Sequence, residues 1–311
     1  MNVVTLLPSA TEIVSELGVV PVGVSHSCDH PSEVCDHPTI TRSRVDENAD
    51  SATIDEQVLE AERAGGVYAI DTDALARADP DLIVTQGICD VCAVDTVLVR
   101  EAVSELGLDC EILTTDPHGL EDVFSDIERI GRAIGRVERA KALVSDLERR
   151  VERVRKTVSD DPTERPRVLD IDWMDPVMIG GHWVPELFCI AGGEYGIVEA
   201  GEASTPVEWE WVVEYDPEAL VVAPCGFDLD QTMANLDDLT ERRGWSDLTA
   251  VREDRVFVVD GSAYLNRPSS RLVDSLELIA SALHPDRFGP SETVLAQPDA
   301  IRSFAAGSSA D

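Results

Sequence analysis

A short apolar segment behind an Asp-Pro pair occurs twice in this chain, and it constrains the fold more than any other feature. The first copy, ADPDLIVTQGICDVC, occupies residues 78–92, and the second, YDPEALVVAPCG, occupies residues 215–226. A continuous apolar run of this length, bounded by turn signals, is typical of a strand buried on both faces of a parallel sheet. Each copy ends in a polar or cysteine-bearing loop. Such loops, at the carboxyl ends of parallel strands, are where α/β proteins bind ligands.

Alternating strand-like and helix-like segments predict two α/β lobes. The predicted domains are an N-terminal lobe over residues 1–119, a bridging helix over 120–160, a C-terminal lobe over 161–286, and a flexible tail over 287–311. The predicted strands are Val3–Leu6, Val22–Val24, Leu82–Thr85, Glu111–Thr114, Val168–Ile171, Leu220–Ala223 and Val256–Val259, and a last helix is predicted over Arg271–Leu283.

The segment between the lobes has the periodicity of a long helix. Apolar residues recur every three or four positions from Leu120 to Val154, which is the pattern of one helix face. A continuous helix over this stretch would span roughly 50–55 Å, long enough to connect two lobes as a strut. Gly131 and Gly135 favour an alternative, two ordinary helices with a break near Gly135.

The charge balance excludes several classes of partner. Acidic side chains number 61 and basic ones 25, for a net charge of −36. Nucleic acids and anionic membranes require cationic patches, so neither is an expected partner. Because the acidic excess extends along the whole chain, we expect a protein from a high-salt environment, where dense salt screens self-repulsion.

The N-terminal segment lacks the basic region of a signal peptide, and no stretch is apolar for long enough to cross a bilayer. Seven cysteines, an odd number that includes the pair Cys89-x-x-Cys92, suit a reducing compartment better than a disulfide scaffold. The sequence as it stands therefore predicts a cytoplasmic protein. The alternative is an extracytoplasmic, membrane-associated protein from which a leader has been removed.

Candidate binding residues cluster in the loops that follow the predicted strands. Tryptophan and tyrosine in such loops offer flat apolar surfaces with one polar group, which suits a planar ligand. The loops are Ser25–His30, Gln86–Cys92, Asp172–Met174, Gly181–Trp183, Pro224–Phe227 and Gly261–Tyr264.

The cysteines of these loops suggest a second kind of site. Cys89 and Cys92 have the spacing of zinc ligands, and Cys28 and Cys225 could converge with them on a zinc ion or an iron–sulfur cluster. A redox pair, or thiols that simply line a ligand cavity, are the alternatives. No hydrolytic motif and no phosphate-binding glycine loop is present, so nothing in the sequence requires catalysis.

Several of these motifs, taken in order, resemble a known family. Pro8-Ser9-Ala10-Thr11-Glu12, Cys28-Asp29-His30-Pro31 and Asp79-Pro80-Asp81-Leu82-Ile83-Val84 are similar to segments of the vitamin B12-binding proteins of ABC importers. More broadly, residues 1–285 resemble the class III substrate-binding proteins, which carry iron–siderophores, haem or cobalamin. The resemblance implies an α/β fold of two Rossmann-like lobes with parallel sheets, bridged by one long helix, with the ligand between the lobes.

The resemblance also implies a set of ligand-facing residues. They are Ser9, Ala10, Cys28, Gln86, Trp173, Gly181, His182, Cys225 and Tyr264. Relatives dock on a membrane permease through acidic residues, so an ABC permease is an expected partner. The chain departs from the family in its leader-less start and in its cysteine- and histidine-rich lining, as in a cytoplasmic branch that shares the fold. His26 or His182 could then serve as a lower axial ligand to cobalt.

The sequence thus leads to one main hypothesis and two alternatives. The main hypothesis is non-catalytic binding of a corrinoid, such as cobalamin, or a related metal chelate, without membrane insertion. The first alternative is a cytoplasmic metal- or iron–sulfur-binding protein or enzyme that uses a cysteine-lined cleft. The second is a structural or regulatory protein whose ligand is an unrelated small molecule.

Overall fold

The computed structural model describes residues 1–88, 94, 96–158, 164–289 and 300–304. By its contacts the chain divides into two compact units. Unit 1 comprises Met1–Ala49, Thr53–Pro117 and Glu121–Asp146, and unit 2 comprises Asp50–Ala52, His118–Leu120 and Leu147–Asp311. Both units alternate strands with helices, so the predicted α/β fold class is confirmed.

Unit 1 is organised around a parallel sheet. Its strands are β1 Val3–Thr5, β2 Thr41–Ser43, β3 Tyr68–Ile70, β4 Leu82–Gln86 and β5 Glu111–Thr115. Four helices lie between these strands along the chain: α1 Pro8–Glu16, α2 Ser51–Arg63, α3 Thr72–Ala78 and α4 Thr96–Leu106. Two more, α5 Leu120–Ala133 and α6 Val137–Thr157, follow β5. The parallel order is β1-β4-β5, and β2 and β3 form a separate antiparallel pair. The predicted strand at 22–24 is reduced to isolated parallel bridges, Val4 to Gly23 and Val24 to Thr39.

Unit 2 contains a larger mixed sheet. Its strands are β6 Arg167–Met174, β7 Val177–Ile179, β8 Glu194–Tyr195, β9 Thr205–Pro206, β10 Ala219–Val222, β11 Val256–Val259 and β12 Ile301–Phe304. Its remaining helices are α7 Val184–Ile190, α8 Trp209–Tyr215, α9 Leu229–Ala234, α10 Asp237–Thr240, α11 Thr249–Arg252, α12 Arg271–Leu283 and α13 Pro285–Phe288. The order is β12-β11-β10-β6-β7-β9, with β8 also paired to β6, and β6, β10 and β11 are parallel.

The sequence repeat folds into the same local structure in both units. Asp79 and Asp216 are left-handed C-caps (φ +43° and +48°) that end α3 and α8, and each is followed by a proline that cannot continue a helix. The apolar runs behind them become β4 and β10, which are buried along their whole length, each between two parallel neighbours. The Asp-Pro pair is therefore a signal that stops a helix and starts a core strand.

The long helix predicted from Leu120 onward is interrupted, as in the alternative that placed a break near Gly135. Gly135 adopts φ +69°, and the backbone N–H of Arg136 donates to the carbonyl of Gly131 at 2.7 Å, which closes a Schellman motif. A Cβ atom on Gly131 would lie 2.4 Å from that of Ala140, so this glycine permits close packing of α5 and α6. The division between the units falls inside α6, after Asp146.

The predicted flexible tail needs one correction. Residues 301–304 form β12, which pairs antiparallel with β11 and covers that edge of the sheet. Four residues are too few for periodicity to reveal a strand, so only pairing with β11 identifies it. The helix α13 also extends into the predicted tail by two residues, whereas residues 290–299 and 305–311 lie outside the described part.

Among the described residues, no helix has the length and hydropathy needed to cross a membrane.

Candidate functional site

The candidate residues of unit 1 begin in the first turn of α1. Two residues separate the end of β1 from the start of α1. Pro8 occupies a first-turn position of the helix, where its missing N–H costs nothing. Ser9 and Ala10 follow it and are buried, at 4% and 2% exposure. The structure thus places both residues just beyond the carboxyl end of a parallel strand, as the sequence predicted; their contact with a ligand stays a prediction.

Cys28 is held by a chain of hydroxyl groups. Its Sγ atom lies 3.0 Å from the Thr11 hydroxyl, which in turn lies 2.6 Å from the hydroxyl of Thr5. The thiol is buried against Val24 and Val34. Strand β1, helix α1 and the Cys28 loop are therefore connected through polar side chains in an otherwise apolar interior.

Gln86 ends β4 beside the last residue of β5, Thr115, and is 5% exposed. Its backbone carbonyl accepts a hydrogen bond from the Thr96 hydroxyl at 3.3 Å. Cys89 and Cys92, which follow in the sequence, lie outside the described residues.

Both ring nitrogens of His26 already have partners in unit 1. Nδ1 lies 2.8 Å from the Thr41 hydroxyl, and Nε2 lies 3.0 Å from a carboxylate oxygen of Glu47. The hydrogen bond from His26 holds the pKa of Glu47 below its usual range, against the opposing effect of burial. For His26 to serve as an axial ligand to cobalt, one of these contacts would have to break.

The prediction of a loop at Asp172–Met174 was wrong: these residues are the last three of β6, because they pair with β7. In unit 2, the end of β6 and the loop after β10 meet near an aromatic pair. Trp173 and Phe227 pack with ring centroids 5.1 Å apart, and the indole N–H of Trp173 donates to the carbonyl of Asp175 at 3.1 Å. The backbone N–H of Cys225 donates to the carbonyl of Asp172 at 3.0 Å. Phe227 is 2% exposed and supports the partly exposed indole, which fixes its orientation.

The Gly181–His182 turn is tightly constrained. A Cβ atom on Gly181 would lie 2.4 Å from backbone atoms of residues 202–204, so only glycine fits there. The backbone N–H of Gly181 donates to the Ser204 hydroxyl at 3.1 Å, and this hydroxyl donates to a carboxylate oxygen of Asp172 at 2.5 Å. His182 has φ +53°, which a non-glycine residue rarely adopts.

An acidic residue missed by the sequence analysis lies directly behind this turn. Asp170 is 1% exposed, and within the described residues neither of its carboxylate oxygens has a hydrogen-bond partner. Burial, and then the charge of Asp172, raise its pKa well above the usual value. Burial also raises the pKa of Asp172, against the hydrogen bond from Ser204. The signal in the sequence was this charged residue within the predicted strand Val168–Ile171, whose other residues are apolar.

Tyr264 lies in the interior of unit 2, at 2% exposure, with the Arg271 guanidinium 4.8 Å from its ring centroid. Burial raises the pKa of its hydroxyl, and a hydrogen bond with Arg271 opposes this shift. The ring therefore has a well-defined cation–π partner, and its contact with a ligand stays a prediction.

The predicted four-cysteine site is only partly visible. Cys28 belongs to unit 1 and Cys225 to unit 2, while Cys89 and Cys92 are not described. Within the ranges that the structure describes, no group of three or more histidine, cysteine, aspartate or glutamate side chains could hold a metal ion.

His118 is a second residue that the sequence analysis missed. It follows β5 by three positions, so the rule that pointed to the other strand-end loops would have found it. The structure brings its ring to 6.1 Å from that of His182, between centroids.

With this geometry described, comparison with known proteins identifies the family. The sequence profile of the family described as "Periplasmic binding protein" matches residues 3–263, which is most of the chain. The chain is a member of the periplasmic binding protein family. The resemblance noted in the sequence is therefore confirmed, including the membership in the ABC substrate-binding class.

Individual relatives of this periplasmic binding protein are distant but span nearly its whole length. An ABC transporter substrate-binding lipoprotein of Bacillus subtilis, YvrC, is 24% identical over 301 residues, covering 92% of this chain and 81% of that protein. A periplasmic heme-binding protein from Pseudomonas aeruginosa superposes with a TM-score of 0.69 at 20% identity, covering 92% of this chain and 93% of the other. The vitamin B12-binding protein BtuF of Vibrio cholerae superposes with a TM-score of 0.65 at 20% identity, covering 91% of this chain and 96% of the other.

The family assignment decides the general activity. This periplasmic binding protein binds a substrate for an ABC importer and does not convert it, so the prediction of non-catalytic binding is confirmed. The enzymatic version of the cysteine-site alternative is thereby excluded.

Proposed function

We propose that the protein binds a corrinoid or a related flat metal chelate and delivers it to an ABC permease. The observation that carries this proposal is the Trp173–Phe227 pair, an indole held at a fixed angle over a buried phenyl ring. Family members with known structures that share this fold are named as binding heme or vitamin B12. Both ligands have a large flat macrocycle around a metal.

The chemistry of the pair suits such a ligand. An oriented aromatic face buries a planar macrocycle with little loss of conformational entropy, because an indole has only two side-chain torsions. The Trp173 N–H is already bonded to the Asp175 carbonyl, so the ring can be buried by a ligand without leaving a polar group unpaired. Cys225 adds a polar group at the same strand ends. The Gly181–His182 turn, which follows the antiparallel strand β7, is linked to Asp172 beside Trp173 through the Ser204 hydroxyl.

We further propose that the protein works outside the cytoplasm. The support is its family and the lipoprotein character of the Bacillus relative, since an importer receives its substrate on the outer side of the membrane. These findings favour the extracytoplasmic alternative over the cytoplasmic one drawn from the cysteine content.

The proposal is tested by titrating the protein in molar KCl with cobalamin, and separately with hemin, followed by desalting. We expect one equivalent of one ligand to remain with the protein. Trp173→Ala should weaken binding at least tenfold, which is about 1.4 kcal/mol, because truncating a well-packed aromatic anchor typically costs more than 1 kcal/mol.

The matched control is Trp211→Ala, which removes an indole that is 41% exposed and stacks on Tyr215 in the same unit. It should bind as the unmodified protein does. Loss of both chromophores on desalting would refute the proposal for these macrocycles, and equal weakening by the two substitutions would refute the role of Trp173.

A further inference from the structure

Two histidines far apart in the sequence meet in unit 2. The ring centroids of His118 and His182 are 6.1 Å apart, and the ring planes are inclined by 50°. We propose that these two imidazoles form a binding site for a divalent first-row transition metal ion. Imidazole nitrogen is a preferred ligand of Zn, Cu, Fe and Ni ions.

The separation suits two ligands of one metal. A metal–nitrogen bond of about 2.0–2.1 Å places each ring centroid roughly 3.2 Å from the metal. Two centroids would then be roughly 5.2 Å apart at a tetrahedral angle and 6.4 Å apart in a linear arrangement. The observed 6.1 Å exceeds the tetrahedral value by about 0.9 Å, so the two rings must approach each other by that amount when an ion of tetrahedral geometry binds.

The orientation of His118 has the pattern of a metal ligand. Its Nδ1 atom lies 3.3 Å from the backbone carbonyl oxygen of Gly201. When Nδ1 donates its proton to that oxygen, Nε2 carries the lone pair that a metal requires. A second hydrogen bond of this kind, from the other ring nitrogen to a carbonyl or carboxylate, accompanies nearly all metal-bound histidines.

The backbone of His182 is fixed by Gly201 and Glu202, next to the carbonyl that His118 contacts. Its backbone N–H donates to the Glu202 carbonyl at 2.5 Å, and its own carbonyl accepts from the Gly201 N–H at 2.8 Å. Gly201 therefore contacts both histidines, the ring of one and the backbone of the other. The positive φ of His182 costs free energy that these bonds must balance, and such strained residues concentrate at functional sites.

The segment that carries His118 is anchored as well. A carboxylate oxygen of Glu186, in the first turn of α7, accepts a hydrogen bond from the backbone N–H of Leu120 at 2.9 Å. A Cβ atom on Gly119 would lie 2.7 Å from the same oxygen, so glycine permits the close approach. Both histidines are thus held on anchored backbone, which lowers the entropy lost on metal binding.

Two imidazoles leave the remaining coordination positions to water or to the donors of a bound chelate. Binding of the bare ion does not depend on the proposed function. Contact of the two histidines with the metal of a transported chelate does rest on the proposed function. Binding of the bare ion and binding of the chelate are tested by different measurements.

The test is a Co²⁺ titration of the full chain in molar KCl, which screens adsorption to the acidic surface, followed by visible absorption. We expect a ligand-field spectrum of nitrogen and oxygen ligands that saturates at one equivalent. His118→Ala and His182→Asn should each weaken binding by at least about 10–100-fold, the loss typical of removing even an outer-shell partner. Asparagine tolerates the positive φ of residue 182.

His30→Ala is the matched control, because it removes an exposed histidine of unit 1 and should leave the titration unchanged. Unfolding curves that superpose with the unmodified protein verify that each variant is folded. The inference is overturned if both variants bind Co²⁺ as the unmodified protein does, or if thiolate-to-cobalt charge-transfer bands show that cysteines hold the ion. Cobalamin retention is measured separately, so failure of one proposal leaves the other standing.

Discussion

Replacing Asp170 with asparagine should stabilise the protein above neutral pH. The carboxylate is 1% exposed, and no described residue offers either oxygen a hydrogen bond. Burial and the nearby charge of Asp172 therefore raise the pKa of Asp170 in the folded state. Asparagine has the same shape and no charge, so it removes the electrostatic cost while keeping the fit against Gly180, where an added Cβ atom would lie 2.4 Å from Asp170 Oδ2.

The sign of the effect follows from proton linkage. An unfolded aspartate ionises near pH 3.9, whereas the folded protein retains the proton to a higher pH. Stability contributed by the protonated form is therefore present at acidic pH, and it is lost as the pH rises from about 4 toward the folded-state pKa. A buried polar group without a partner costs about 1–3 kcal/mol, and more when charged. The amide of asparagine also lacks a partner at this site, so the substitution removes only the additional cost of the buried charge. Asp170→Asn should thus gain on the order of 1 kcal/mol at pH 8 and little at pH 4.5.

Urea unfolding in molar KCl at both pH values, followed by tryptophan fluorescence, provides the assay. All five tryptophans lie in unit 2, so the signal reports the unit that contains Asp170. The control is Asp247→Asn, which removes the charge of an exposed aspartate in the same unit and should not reproduce the gain at pH 8. A variant that is no more stable than the unmodified protein at pH 8, or a gain that Asp247→Asn reproduces, would refute the reasoning.

Three further predictions concern the fold. Asp216→Gly should lower the free energy of unfolding by about 1–2 kcal/mol, because the Asp216 carboxylate accepts hydrogen bonds from the backbone N–H and hydroxyl of Thr249, both at 2.8 Å. Asp79→Gly, at the equivalent cap, should change it by less than about 0.5 kcal/mol. Urea unfolding of the two variants compares these free energies. Glu277→Gln should lower stability by about 1–3 kcal/mol at pH 7. Burial alone would raise the pKa of Glu277, but hydrogen bonds from Arg150 at 2.9 and 3.1 Å hold this pKa below the usual value. The stabilisation is therefore present above the pKa of the unfolded state and disappears as the pH falls through the pKa of the folded state, which unfolding curves at pH 7 and pH 3 would show. Finally, raising KCl from 0.1 to 2 M should increase the Tm, because salt screens repulsion among charges that sum to −36; a Tm that is independent of salt would contradict adaptation to high salt.

The sequence alone determined the core strands and the last long helix. The predicted bounds of Val256–Val259 and Arg271–Leu283 coincide with β11 and α12, and the repeated apolar runs became the central strands β4 and β10. These elements could be predicted because apolar periodicity, C-caps and proline act over a few neighbouring residues. The same motifs carried the family resemblance.

Other features were decided only by contacts between residues distant in the sequence. Residues 301–304 became a strand because β11 offers an unpaired edge. His118 and His182 are separated by more than 60 residues along the chain, and tertiary contacts bring their rings together, among them those of Leu120 with Glu186 and of His118 with Gly201. Whether Asp170 is solvated or buried without a partner likewise depends on what packs over β6, not on its neighbours in the chain. Local sequence sets the backbone, but the environment of a side chain is the sum of tertiary contacts, and the chemistry of a site depends on that environment.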